Sequence, residues 1–185
     1  MSRLGKRPIE IPDSVEVKQE NGEVVITGPE GTLSQQLLPG ISLEIGSDSL
    51  LVNRKSNSKR QKSYHGLIWS LLGNMVEGVT DKFTKTLVLK GLGYRARMQG
   101  EELHIELGYS NVCEVEIPEG ISVELPNRTT IIVEGIDKQQ VGQFAARLRE
   151  LRSPDPYNQK GIKYEGEYIR QKVGKTVGGE GSLGD

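Results

Sequence analysis

Residues 152–175 concentrate the side chains best suited to meeting a polyanion. Lys160, Lys163, Arg170, Lys172 and Lys175 are interleaved with Tyr157 and Tyr164. Cationic ends contact phosphates and flat phenol rings stack on bases or sugars, the composition expected of an RNA-contacting extension. Pro154 and Pro156 restrict the backbone and lower the entropy cost of holding one shape. Gly161 allows close backbone approach. A second reading is a solvated basic tail whose tyrosines pack on their own domain. The segment alone leaves both open.

Catalytic chemistry finds little support elsewhere in the chain. Gly91-Leu92-Gly93 resembles part of a dinucleotide turn but lacks a third glycine at the required spacing, and its surroundings are not a βαβ unit. Gly28-Pro29-Glu30-Gly31-Thr32 lacks the lysine of a phosphate loop. Both read as turns. Cys113 is the one cysteine, and it alternates with Val115 and Ile117 on an apolar face, as an inert core thiol does. A disulfide within the chain and a cysteine-based zinc cluster are therefore excluded. The chain has two histidines. His104 is expected at the surface, opposite Leu103, Ile105 and Leu107. His65 opens the apolar part of a basic helix, where it caps the core or touches phosphate; the core role is favoured. No catalytic residue, metal ligand, cofactor or small-molecule substrate is assigned.

The elements that must carry the basic segment can be read from periodicity. Ile9-Glu-Ile-Pro-Asp-Ser-Val-Glu-Val17 and Val115-Glu-Ile-Pro-Glu-Gly-Ile-Ser-Val123 form a weak internal repeat. Each leads through a polar turn, Glu20-Asn21-Gly22 or Pro126-Asn127-Arg128, into a β-branched run. Alternation places Val15 and Val17, then Ile121, Val123 and Leu125, on one sheet face. A helix follows in each half. Tyr64, Leu67, Ile68, Leu71, Leu72, Met75, Val76 and Val79 fall at helical spacing, after a possible capping box of Ser58 with Gln61. Val141, Phe144, Ala145 and Leu148 repeat the spacing, with Asp137 as cap. Strands are expected at 84–89, 94–98, 103–107 and 112–117, with shorter ones at 32–38, 41–45 and 50–53. The fold class is α+β: two tandem similar domains, each a small antiparallel sheet packed on one helix, plus a basic C-terminal extension. The expected boundaries are 1–82, 83–152 and 153–185, with a disordered glycine-rich end from Val177.

Composition sets the outer limits. The chain has 185 residues, 35% hydrophobic and 26% charged, too apolar for a disordered tail and without an apolar run long enough to span a bilayer. The basic N-terminus, Met1 to Pro8, lacks the apolar core of a signal peptide. Net charge is −1, yet the charges are segregated. Residues 54–97 carry ten basic and two acidic groups, and 98–146 carry two basic and nine acidic. Such blocks build a local positive face on a neutral protein, or interleave in space and cancel.

Several motifs, in order, carry a resemblance. They are Ser2-Arg3-Leu4-Gly5-Lys6-Arg7-Pro8-Ile9; Gly28-Pro29-Glu30-Gly31-Thr32-Leu33; His65-Gly66-Leu67 with Asn74-Met75-Val76-Glu77-Gly78-Val79; Gly91-Leu92-Gly93-Tyr94-Arg95-Ala96; Leu107-Gly108-Tyr109-Ser110; Asp137-Lys138-Gln139 with Gly142-Gln143-Phe144-Ala145-Ala146; and Pro154-Asp155-Pro156-Tyr157 with Lys160-Gly161-Ile162-Lys163-Tyr164. From Ser2 to about Lys175 the chain resembles the ribosomal protein L6 family of the bacterial or organellar large subunit. The departures are Asn158 and Asn111, where the family usually has lysine and histidine, and Trp69, where arginine is common.

The resemblance implies a non-catalytic structural component of the large ribosomal subunit. It implies binding to large-subunit ribosomal RNA near the sarcin–ricin loop and the base of the factor-binding stalk, in support of subunit assembly and translation. Carried over by position, the RNA-binding residues are Arg149, Arg152, Tyr157, Lys160, Gly161, Lys163, Tyr164, Arg170, Lys172 and Lys175. The extension is expected to order on binding, an entropy cost that phosphate contacts and stacking offset. Implied partners are that RNA and neighbouring ribosomal proteins, including those of the stalk base, with no membrane. The implied location is the cytoplasmic ribosome, and a plastid is equally compatible.

Overall fold

A computed structural model describes residues 7–46 and 48–175. The first six residues and the glycine-rich end from Val177, both subjects of expectations above, lie outside the described residues. The chain clusters into two compact units, Met1–Lys85 with Pro118–Val123 and Val133–Phe144, and Thr86–Ile117 with Glu124–Ile132 and Ala145–Asp185.

The fold is α+β with two tandem halves, and in each half the strands divide between two small sheets. In the first half β2 (Glu16–Glu20), β3 (Glu23–Gly28) and β4 (Gly31–Gln36) form an antiparallel meander. Its first turn is the expected polar one. Glu20 pairs with Glu23, leaving Asn21 and Gly22 as a two-residue loop, both with positive φ. That backbone twist matches the twist of the strands it joins. The second sheet has the order β1 (Ile9–Glu10), β6 (Ser49–Arg54), β5 (Ile41–Ile45).

Helix α1 (Lys59–Thr80) lies against strands of both sheets, with contacts to β3, β4 and β6. It buries Ile68, Leu72, Met75, Val76 and Val79 on the expected stripe. They join Val24, Ile26, Leu50 and Val52 in one core cluster. Ser58 caps the helix, its hydroxyl accepting from the Gln61 N–H at 3.3 Å. The capping box is half formed, because the Gln61 amide donates instead to the Pro39 carbonyl at 2.8 Å. His65 is buried as the core reading requires: Nε2 donates to the Val52 carbonyl at 2.8 Å and Nδ1 accepts from Arg54 at 3.1 Å. Trp69 is half-buried against this core and donates its indole N–H to the Arg7 carbonyl at 2.8 Å.

In the second half β8 (Arg95–Gln99), β9 (Glu102–Glu106) and β10 (Cys113–Glu116) form a three-stranded antiparallel sheet. The other sheet has the order β11 (Ile121–Asn127), β12 (Thr130–Gly135), β7 (Phe83–Lys90), β13 (Gly161–Tyr164). Helix α2 (Lys138–Leu151) is capped by the preceding Asp137, whose carboxylate accepts from the Gln139 N–H at 2.8 Å. It buries Val141, Phe144, Ala145 and Leu148, as the spacing predicts.

Several placements differ from expectation: Leu67, at the edge of the α1 stripe, is 49% exposed, Cys113 is half-buried, and Pro126 and Asn127 extend β11 so that the turn falls at Arg128 and Thr129. His104 does lie on the face opposite Leu103 and Ile105, yet it is 8% exposed rather than at the surface. The reason is cross-strand cover. Arg97 and Glu114 pair with it on either side, and its Nε2 lies 3.3 Å from the Glu102 carboxylate. Long side chains on neighbouring strands shelter a residue that points outward.

Candidate nucleic-acid interface

The basic segment begins where α2 stops. Pro154 and Pro156 cannot continue a helix, and the chain turns into a loop closed on Asp155. The Asp155 carboxylate accepts from the N–H groups of Tyr157 and Asn158, each at 3.1 Å, and from the Asn158 amide at 3.2 Å. The Asp155 N–H donates to the Lys160 carbonyl at 2.9 Å, and the Gln159 N–H returns to the Asp155 carbonyl at 2.7 Å. The backbone donors of Tyr157 and Asn158 hold the Asp155 carboxyl below the usual carboxylate range. Asn158, where the resemblance would have lysine, therefore serves loop closure.

Beyond the loop the chain re-enters the fold. Gly161 has φ +148°, and a Cβ there would stand 2.6 Å from the Pro154 Cα and 2.8 Å from the Arg152 carbonyl oxygen. Only glycine fits. From it β13 pairs antiparallel with β7, Gly161 opposite Lys90 through Tyr164 opposite Leu87. Ile162 is fully buried, worth about 1.5–3 kcal/mol for a side chain of that size. The expectation that the extension orders only on RNA is corrected for residues 153–164, because this strand already holds them.

The ten residues carried over by resemblance sort by what they touch. Arg149 forms a two-point pair with Glu167, Nε to Oε2 at 3.1 Å and Nη2 to Oε1, and its guanidinium lies 6.0 Å from the Tyr164 ring centroid. The guanidinium holds the Glu167 carboxyl below its ordinary range. Arg152 donates to the Leu107 carbonyl and sits 4.7 Å and 5.3 Å from the ring centroids of Tyr109 and Tyr94. Arg149, Arg152, Gly161 and Tyr164 thus build the base of the surface. Tyr157, Lys160, Arg170, Lys172 and Lys175 are exposed, and Lys163 is half-buried.

The two readings of the tyrosines divide between them, Tyr164 packing inward and Tyr157 facing out. The chain after β13 comes back to the loop: the Lys172 N–H donates to the Pro156 carbonyl at 3.0 Å and the Gln171 amide to the Tyr157 carbonyl at 3.4 Å. Lys172 is thereby placed beside Tyr157.

Lys90 belongs with this group although sequence reasoning passes over it. Its ammonium donates to the Gln159 side chain at 2.7 Å. Its only signal is the β13–β7 pairing, which sequence spacing does not reveal. Tyr168, 87% exposed, is also passed over. Among the described residues no three His, Cys, Asp or Glu side chains gather as a metal-binding set, and no helix is long and apolar enough to cross a membrane.

Two sheet-and-helix halves in tandem, followed by a closed Pro-Asp-Pro-Tyr loop and an edge strand, define the class as an α+β protein built from two similar repeats. The family model for Ribosomal protein L6 matches residues 11–82 and 90–165. The chain is 51% identical over 177 residues to the large ribosomal subunit protein uL6 of Finegoldia magna, covering 95% of this chain and 99% of that one. It is 53% identical to the uL6 protein of Natranaerobius thermophilus, with 95% and 99% covered, and 48% identical to that of Borrelia garinii, with 95% and 98% covered. The chain belongs to the ribosomal protein L6 family. The second matched stretch ends just past β13, so that strand lies within the family's own pattern.

Proposed function

We propose that this chain is a structural component of the large ribosomal subunit that binds large-subunit ribosomal RNA. The single observation that carries this reading is the preformed surface after α2. The Asp155-closed loop and β13 present Tyr157, Lys160 and Lys172 together. A cationic surface already held in shape loses less entropy on binding, so more of the phosphate attraction appears as affinity. The exposed ring of Tyr157 adds a stacking face.

The resemblance implies a proposed position near the sarcin–ricin loop and the stalk base, with a role in assembly and translation. Residues 1–82 and 83–152 are the proposed domains and 153–185 the extension. Arg149, Arg152, Gly161 and Tyr164 position the surface. Tyr157, Lys160, Lys163, Arg170, Lys172 and Lys175 meet the RNA. Neighbouring ribosomal proteins, including those of the stalk base, are further partners.

The test is binding to an rRNA fragment carrying the sarcin–ricin region across a salt series. Deleting the extension after Leu151 would also remove β13, so point variants are the cleaner tool. Lys160→Glu with Lys163→Glu is expected to weaken binding and flatten the salt slope while the fold survives. An unchanged slope and affinity would sink this surface as the contact.

A further inference from the structure

A second group of cations lies far from the extension in sequence, at the end of β6 and the start of α1. Arg54, Lys55, Lys59, Arg60 and Lys62 fall within nine residues, and no Asp or Glu occurs between Asp48 and Glu77. Lys55, Lys59 and Arg60 are exposed, and Arg54 and Lys62 are half-buried. Among the described residues no carboxylate pairs with any of the five, whereas Lys18, Lys82, Arg95, Lys138 and Arg149 each have an acidic partner within 4.0 Å. Among the described residues, this patch therefore has no acidic partner for its charge.

The patch is also held in shape by neutral groups. Arg54 is fixed by the Asn57 side-chain oxygen Oδ1, at 3.3 Å from Nε and 3.0 Å from Nη2, and by His65 Nδ1. Arg60 donates from Nε to the Tyr64 hydroxyl at 2.7 Å, and its guanidinium lies 5.2 Å from that ring's centroid. Neutral partners fix the two guanidinium planes without cancelling their charge. A planar cation beside an aromatic ring suits nucleotides, and the flanking lysines suit phosphodiesters. Crowding like charges into one patch costs the free protein stability, and a polyanion relieves it.

We infer that Arg54, Lys55, Lys59, Arg60 and Lys62 form a second RNA-backbone contact on the first half of the chain. This rests on the proposed rRNA-binding function but assigns it a separate surface.

The experiment uses the full chain and a transcript of the complete large-subunit rRNA, with affinity measured from low to high KCl. Four proteins are compared: the parent; Lys55→Gln/Lys59→Gln/Lys62→Gln; Lys160→Gln/Lys172→Gln; and the combination. Removing one lysine–phosphate pairing lowers the log–log salt slope by about 0.7–0.9, so the triple variant is expected to flatten it by about two. The combined variant is expected to flatten it more than either set. On the parent protein, bound RNA should also protect Lys55, Lys59 and Lys62 from acetylation, a readout that needs no variant.

If the triple variant keeps the parental slope and the three lysines stay reactive while Lys160→Gln/Lys172→Gln loses binding, the second contact is overturned and the extension's role stands. If the triple variant alone weakens, the second contact stands and the extension's role fails. No binding by the parent overturns both. Protection of the lysines by an acidic polypeptide but not by RNA would overturn the inference in favour of a protein partner.

Discussion

Arg149 grips Glu167 with two parallel hydrogen bonds, tying the last turn of α2 to the chain just beyond β13. Glu167 also accepts from the Tyr164 N–H at 3.0 Å, so one carboxylate serves helix, strand and turn. The first consequence concerns Glu167→Gln. It leaves a half-buried guanidinium without its counter-charge and is expected to cost about 1–3 kcal/mol. The loss should appear as faster proteolysis and amide exchange of residues 161–172. An unchanged exchange pattern would show that the pair does not hold this segment.

The same pair gives a pH dependence with a definite sign. Arg149 holds the folded Glu167 carboxyl below its ordinary range. Its stabilising contribution is therefore fully present above the ordinary carboxylate pKa and is lost as pH falls through the depressed folded value. Unfolding followed from pH 7 downward should show an acid loss of stability that is smaller in Glu167→Gln than in the parent.

Asp155 makes a local prediction of the same sign. Its carboxyl is depressed by backbone N–H donors, so loop closure should persist at neutral pH and weaken on acidification below the usual carboxylate range. In Asp155→Ala the amides of Tyr157 and Asn158 should exchange faster, and RNA affinity should fall although no cation has been removed. Exchange rates equal to the parent's would remove the argument for a preformed loop.

Gly161→Ala tests the entry into β13. The substituted Cβ would meet the Pro154 Cα and the Arg152 carbonyl, in a backbone conformation side chains avoid. The backbone conformation alone is expected to cost about 1–3 kcal/mol, with more from the collision. Thermal unfolding should report it, and RNA binding should fall with it.

Trp69→Phe removes the hydrogen bond to the Arg7 carbonyl and keeps an aromatic ring in place. The expected loss is about 1 kcal/mol, together with easier proteolysis near Arg7. Because the chain has a single tryptophan, its emission in the parent reports this contact directly.

Much of the fold is legible in the sequence because it is local. The apolar stripe of α1 and the Asn21-Gly22 turn are set by neighbours a few residues apart. Long-range pairing is less legible. Nothing in the spacing of Gly161-Ile162-Lys163-Tyr164 says that it completes a sheet with β7, because four residues with one aliphatic side chain give no usable period. The division of strands between two sheets is hidden for the same reason. His104 shows another limit, since alternation gives its face correctly but not the cover that Arg97 and Glu114 provide. For the basic surface after α2, side-chain type marked the cations and tyrosines that gather there. It did not separate Arg149 and Arg152, which brace it, from Lys160 and Lys172, which face outward.

The β7–β13 pairing also sets a timetable for folding during synthesis. The first half has every strand and its helix once Thr80 has been made. Leu87 must wait for Tyr164 before its strand acquires that neighbour. At about 5–20 residues per second the delay is on the order of ten seconds. Throughout it, Leu87 and Leu89 lack part of their final cover, and the β7 backbone offers an open edge to any passing strand. Closure by β13 is among the last acts of folding, and it brings the Asp155-closed loop into being at the same moment as the sheet is sealed.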